Sequence, residues 1–206
     1  SGRLLTASGP KGTETYTYNV TGDRTRFVDT AGRATSYEYD ASTERLAAVV
    51  ASGLRTTVAH DAAGNMASDG TFAFVHSAAG QLRSASGPST ATYGYNGRGE
   101  RVRKTVDGAT TLFVYDDDEN LLGEYGSDGR VIREILWHDG RPLAVVDWTG
   151  GSPLILSVQT DQVGAPRSLA RPDGVIVWSL ATTPFGTAMP DEDPDGDGRA
   201  VTFNLR

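Results

Sequence analysis

Two short stretches carry residue types that could do chemistry. The first, VAHDAAGNM (58–66), sets His60 beside Asp61. Histidine gains and loses its proton near neutral pH and a carboxylate can orient it, so the pair has the makings of an acid–base dyad. The second, PDEDPDGDGR (190–199), alternates aspartates along a run bent by two glycines. Alternate carboxylates on a tight loop can converge on one hard cation, and calcium takes such oxygen sets. The run fits the first half of a calcium loop in two registers, Asp191-x-Asp193-x-Asp195-Gly196 and Asp193-x-Asp195-x-Asp197-Gly198. An EF-hand needs a glutamate at its last position, where these registers place Thr202 and Asn204. Asp191, Asp193, Asp195 and Asp197 are thus the candidate metal ligands, in a partial, non-EF calcium loop. The alternative is an acidic, solvated connection between strands. Calcium is the only cofactor suggested.

Catalysis asks for a unique position with a nucleophile and an orienting third group, and His60 is not unique. A ring followed by Asp, Asn or Ser recurs at Tyr18-Asn19, Tyr39-Asp40, His60-Asp61, His76-Ser77, Tyr95-Asn96 and Tyr115-Asp116, at intervals of 21, 21, 16, 19 and 20 residues. Longer echoes support the repeat: LLTASGPKGTETYTYN (4–19) parallels LRSASGPSTATYGYN (82–96). Tyr18, Tyr39, His60, His76, Tyr95 and Tyr115 therefore define a degenerate repeat, in which histidine substitutes for tyrosine as a flat, amphipathic ring above a turn. No catalytic residue is assigned. A nucleophile elbow, a P-loop and a dinucleotide fingerprint are all missing from the sequence.

The elements that carry the rings follow from local chemistry. Tyrosine alternating with threonine, as in TETYTY (13–18) and ATSYEY (34–39), suits a half-buried strand. The Asp or Asn that follows can bond nearby backbone and start a turn. Gly22, Gly64, Gly80 and Gly99 supply the positive φ that such a turn needs. Half-units with the same punctuation lie at 29–33, 127–130 and 138–141. The expected fold is all-β: a meander of antiparallel hairpins, some fifteen or more short strands in one curved sheet. STERLAAVVAS (42–52) spaces Leu46, Val49 and Val50 as a helix would. Its place in the repeat calls for a strand, and a strand is the reading adopted.

Composition bounds the partners. With 19 Lys and Arg against 26 Asp and Glu, the net charge is −7, which repels nucleic-acid backbones and anionic membranes. The absence of cysteine excludes disulfides and thiolate metal sites. No run approaches the roughly 18 apolar residues of a membrane span, and SGRLLTASGPKG has no apolar signal core. Both ends are abrupt, the expectation for part of a longer protein. The basic run RGERVRK (98–104) alternates along a strand as a solvated face. Trp137, Trp148 and Trp178 fall in apolar runs and are read as packing residues.

The repeats resemble the YD repeats of Rhs proteins, a family of bacterial polymorphic toxins related to the teneurins. YDDDENLLGEY (115–125) and HDAAGNM (60–66) look like single YD units. LWHDGRPLAVVD (136–147), QTDQVGAPRSL (159–169), GVIVWSLATTPFG (174–186) and FNLR (203–206) follow in the order found near the end of Rhs cores. The family commonly has histidines at Gln159 and Gln162 and leucine at Val163. The resemblance implies one continuous YD-repeat segment over 1–206: repeats in 1–126, then a C-terminal core-associated region in 127–206 that holds the acidic loop. It also implies a segment of a hollow β-shell enclosing a C-terminal toxin domain. The family's paired Asp-Pro-x-Gly protease elements should lie beyond FNLR, so Asp193-Pro194-Asp195-Gly196 is not counted as one of them.

The leading expectation is a non-catalytic structural segment of an Rhs-type toxin shell, exported by a bacterial secretion system and secreted or cell-surface associated. Its partners would be the rest of the shell and the enclosed toxin, with self-association through open edge strands. The alternative is a glycan- or receptor-binding adhesion module.

Overall fold

A computed structural model describes residues 2–10, 12–186 and 189–205. Arg206, the end of the FNLR match, lies outside them. Among the described residues there is no helix. The first ten strands are β1 (Thr6–Gly9), β2 (Gly12–Tyr18), β3 (Arg24–Val28), β4 (Ala34–Tyr39), β5 (Leu46–Ala51), β6 (Leu54–Thr57), β7 (Ala59–His60), β8 (Met66–Ser68), β9 (Ala73–His76) and β10 (Leu82–Ser86). Then come β11 (Thr90–Tyr95), β12 (Arg101–Val106), β13 (Ala109–Tyr115), β14 (Leu121–Gly126), β15 (Val131–His138), β16 (Arg141–Asp147), β17 (Leu154–Thr160), β18 (Pro166–Ala170) and β19 (Ile176–Ser179). Strands pair in chain order as antiparallel hairpins, in a six-stranded sheet (β1–β6) and a thirteen-stranded sheet (β7–β19), neither closed into a barrel. By contacts the chain divides within β11 into two compact units, 1–92 and 93–206.

The expected all-β meander is present, but as two sheets and not one. The extended stretch 54–60 changes partner midway. β6 pairs with β5, and beyond Val58 the chain pairs with β8. Val58 is buried and its amide still donates to the Ala47 carbonyl at 2.8 Å. The change falls just before the shortest repeat interval, His60 to His76. That interval carries strands of two to four residues, among the shortest of the chain's described residues. The 42–52 run forms β5 from Leu46, with Val49 opposite Tyr37 of β4; cross-strand pairing overrides its helical spacing.

The two units bury very different cores. In 1–92 the buried apolar side chains are Tyr16, Ala48, Val58 and Ala85. Tyr16 stacks on Phe27, its register partner on β3, at 5.4 Å, and the Arg24 guanidinium lies 4.7 Å from the Tyr37 ring. In 93–206, Ile135, Val145 and Leu156 stand opposite one another across β15, β16 and β17, and Leu169 stands opposite Trp178. The segment after the acidic loop returns to this face. Val201 and Phe203 are buried there, Phe203 edge-on to Trp178 at 5.5 Å.

Five-residue turns join many hairpins, and their fourth residue takes a left-handed conformation. At 61–65 that residue is Gly64, φ 93°; at 116–120 it is Glu119, φ 66°. A side chain there costs about 1–2 kcal/mol. Glu119→Gly should therefore raise stability by about 1 kcal/mol in urea denaturation, and an unchanged or lower midpoint would show that Glu119 is not strained.

Candidate functional site

The repeat turn is built around its first side chain. In the 61–65 turn the Asp61 amide donates to the Asn65 carbonyl at 2.8 Å, and the Gly64 amide donates to the Asp61 carbonyl at 3.0 Å. The Asp61 carboxylate accepts from the Asn65 backbone and side-chain amides, both at 2.9 Å. Asp116 repeats the arrangement with Asn120 at 2.8 and 2.9 Å. The side-chain amides of Asn65 and Asn120 hold the carboxyls of Asp61 and Asp116 below the ordinary aspartate range. The Ser42 hydroxyl, with the Thr43 amide and hydroxyl, pulls Asp40 from 3.8 to about 2.

The rings before these turns have a shared task. The Tyr39 hydroxyl donates to the Arg24 carbonyl at 3.0 Å, and Tyr115 to that of Arg101 at 3.1 Å. Tyr18 reaches the Leu4 carbonyl at 2.9 Å. Arg24 and Arg101 each follow directly on the preceding turn, 19–23 and 96–100. The ring therefore staples the end of one turn to the start of the next. Trp137 does the same with its indole N–H, donating to the carbonyl of Leu121 at 2.9 Å, directly after the 116–120 turn.

All six predicted ring positions are half-buried. Burial pushes the Tyr39 and Tyr115 hydroxyls above the usual tyrosine range. His60 and His76 hold the same slots without the staple. His60 lines a hollow of about 260 Å³ with Asp40, Arg45 and Leu46, where Leu46 is the residue after the preceding turn. His76 Nδ1 is buried without a partner. The Asp61 carboxylate is committed to Asn65, so His60 and Asp61 form no hydrogen-bonded dyad.

Of the four candidate metal ligands, three converge. Asp193, Asp195 and Asp197 each place a carboxylate oxygen within 4.8 Å of the others. Asp191 stands apart, its backbone paired with Ser179 at 2.9 and 2.8 Å and its Oδ1 accepting from the Asp193 amide at 3.2 Å. Arg171, in the turn between β18 and β19, donates to Asp195 Oδ2 at 2.5 Å and Asp197 Oδ2 at 3.2 Å. The Arg199 amide, followed by the Arg171 guanidinium, holds Asp197 below its usual range against partial burial.

Two features escaped the sequence reading. Glu124, Arg133 and Asp147 are charged yet buried, standing directly opposite one another on β14, β15 and β16. Arg133 bridges the two carboxylates at 3.3 and 3.0 Å. The available signal was the inward period Val131, Arg133, Ile135, Trp137, which sets a charge among apolar residues. Trp148, read as a packing residue, is 36% exposed and lines a surface hollow with Arg130 and Val131.

Two outcomes follow for stability. Tyr115→Phe should cost about 1 kcal/mol by urea denaturation, whereas His60→Tyr, which can reach into the hollow, should raise the midpoint. Equal midpoints for wild type and Tyr115→Phe would remove the staple. The depressed turn carboxyls stabilise the fold above the unfolded aspartate value of about 4, and that contribution is lost as pH falls through about 2. The urea midpoint should hold between about pH 7 and about pH 5 and drop below about pH 4. A drop already present at about pH 5 would point to other groups.

Comparison with known proteins places the chain in a family. The family described as Teneurin YD-shell matches residues 1–198. The tRNA nuclease WapA of Bacillus subtilis is 33% identical over 88 residues, 40% of this chain and 4% of that protein. The tRNA3(Ser)-specific nuclease WapA of Bacillus spizizenii is 33% identical over 92 residues, 42% of this chain and again 4% of the relative. This chain thus spans a small fraction of the curated relatives it matches. Among solved structures, TcdB2-TccC3 shares 14% identity over 88% of this chain and 12% of that one, with a TM-score of 0.46. The Photorhabdus luminescens Tc holotoxin pore shares 10% identity over 87% and 12%, with a TM-score of 0.38. By the match over residues 1–198, the chain belongs to the Teneurin YD-shell family.

Proposed function

We propose that this chain is a non-catalytic wall segment of an Rhs-type toxin shell, which keeps a C-terminal toxin domain sequestered during export from a bacterial cell. The observation that carries the reading is how the repeat spends its polar groups. Ring hydroxyls go to backbone carbonyls and turn carboxylates to turn amides, so the side chains that define the repeat build the wall and leave little free to act on a substrate. Membership of a YD-shell family agrees with this. The half-exposed Trp148 favours the alternative, a glycan- or receptor-binding module, since an exposed indole beside an arginine is a surface on which a sugar can stack.

The test uses the intact parent protein. Under limited proteolysis, the domain that follows this segment should survive and stay inactive until the wall is unfolded by denaturant. Digestion of that domain at the rate of its isolated form would overturn the reading. So would glycan-array binding abolished by Trp148→Ala, which would establish the binding module instead.

A further inference from the structure

The acidic loop leaves an electrostatic account unsettled. Asp193, Asp195 and Asp197 bring three carboxylates within 4.8 Å of one another. Arg171 is the cation bonded to the cluster, through Asp195 Oδ2 and Asp197 Oδ2, and it also faces Asp173 at 4.0 Å. Among the described residues, two oxygens of the cluster still lack a hydrogen-bond donor. The Asp195 side chain is nine-tenths buried, at 10% exposure, and its Oδ1 is shielded from solvent and accepts no hydrogen bond. Asp193 Oδ1 is shielded and unbonded in the same way, while Asp193 Oδ2 accepts from the Gly198 amide at 3.1 Å. Two anionic oxygens removed from water and facing no donor are costly. A hard cation held by the cluster supplies the partner they lack.

We propose that Asp193, Asp195 and Asp197 form a calcium site that clamps the loop, with Arg171 as its fixed outer counter-ion. Calcium fits better than magnesium, because the donors are three carboxylates on a glycine-bent loop and not a complete octahedral set. Three protein carboxylates without a bidentate glutamate suit a weak site, with a Kd of about 10⁻⁴–10⁻³ M, the range of extracellular modules. Such a site fills in calcium-rich surroundings and empties in a cytosol. The loop's flanks give binding a structural consequence. Asp191 pairs with Ser179 at the edge of β19, and the Val201 amide donates to the Glu192 carbonyl at 2.7 Å. Val201 and Phe203 then enter the core against Trp178. Closing the loop on an ion therefore holds the C-terminal segment on the sheet.

The experiment titrates calcium chloride into the EDTA-stripped 206-residue chain by calorimetry and follows the melting temperature. The expected result is one calcium per chain, a melting temperature that rises with calcium and returns with EDTA, and at least a tenfold loss of affinity in Asp195→Asn. No binding heat and no shift at about ten times the expected Kd would overturn the proposal. An equal shift from magnesium or potassium chloride would overturn it too, since that is screening and not a site. The wild-type titration decides the matter even if Asp195→Asn does not fold. The result is independent of whether the chain encloses a toxin.

Discussion

The five-residue turn must satisfy its own amides, and much of the architecture depends on how it does so. A hairpin tip has no strand partner, so its N–H groups need acceptors from water or from a side chain. Here the side chain comes first in the turn, and one carboxylate, as at Asp61 or Asp116, accepts both from the turn's last backbone amide and from the side chain of the same residue. The ring immediately before that residue is thereby fixed in direction. Its hydroxyl meets the carbonyl that follows the previous turn, at Arg24 for Tyr39 and Arg101 for Tyr115. Ring and carboxylate therefore act as one device: the first closes the gap to the hairpin before, the second closes the turn ahead. This is why an adjacent ring and acid recur together. It also explains how tryptophan can take the ring's place at Trp137, since all the staple needs is a long flat side chain ending in a donor.

The buried Glu124–Arg133–Asp147 row works by a different logic. Burying three charges costs desolvation that their attraction need not repay, so the row is poor evidence for net stability. Its effect is on register. Each charge faces its partner directly across neighbouring strands. A slip of one residue would turn Arg133 to the opposite face and leave two buried carboxylates without a counter-ion. Both pairings of β15 carry a register shift, at Glu124/Tyr125 with β14 and at Leu136/Trp137 with β16, so register is most in need of fixing there.

The repeat made the hairpins legible in the sequence, because ring, acid and glycine are local signals tied to one turn geometry. Gly22, Gly64, Gly80 and Gly99 all adopt positive φ, and β5 forms where the repeat calls for a strand although its apolar spacing suits a helix. What the sequence concealed is non-local. The change of partner at Val58 is a choice between two neighbouring hairpins that no local motif records. The return of Val201 and Phe203 to the sheet depends on a loop whose closure no periodicity records. The acidic run was legible as a cluster, but Asp191 left it because its backbone was claimed by Ser179. The Arg171 contact to Asp195 and Asp197 spans about 25 residues and had no local signature.

A chain whose hairpins touch mainly their neighbours gains stability by addition, repeat by repeat. The two units draw on that scheme unequally. In 1–92 few apolar side chains are fully buried, so turns, staples and the Arg24–Tyr37 contact must carry a larger share. In 93–206 a continuous apolar row across β15, β16 and β17, with Trp178 beside it, gives the meander a true core. That core needs a cover, because one face of a sheet cannot be buried by the sheet itself. Val201 and Phe203 of the chain's own closing segment supply part of it, Phe203 against Trp178. The same segment is preceded by Asp191, which occupies the Ser179 edge of β19, so one excursion blocks an edge and buries a face. The acidic loop lies between these two anchors, and its electrostatics therefore bear on both.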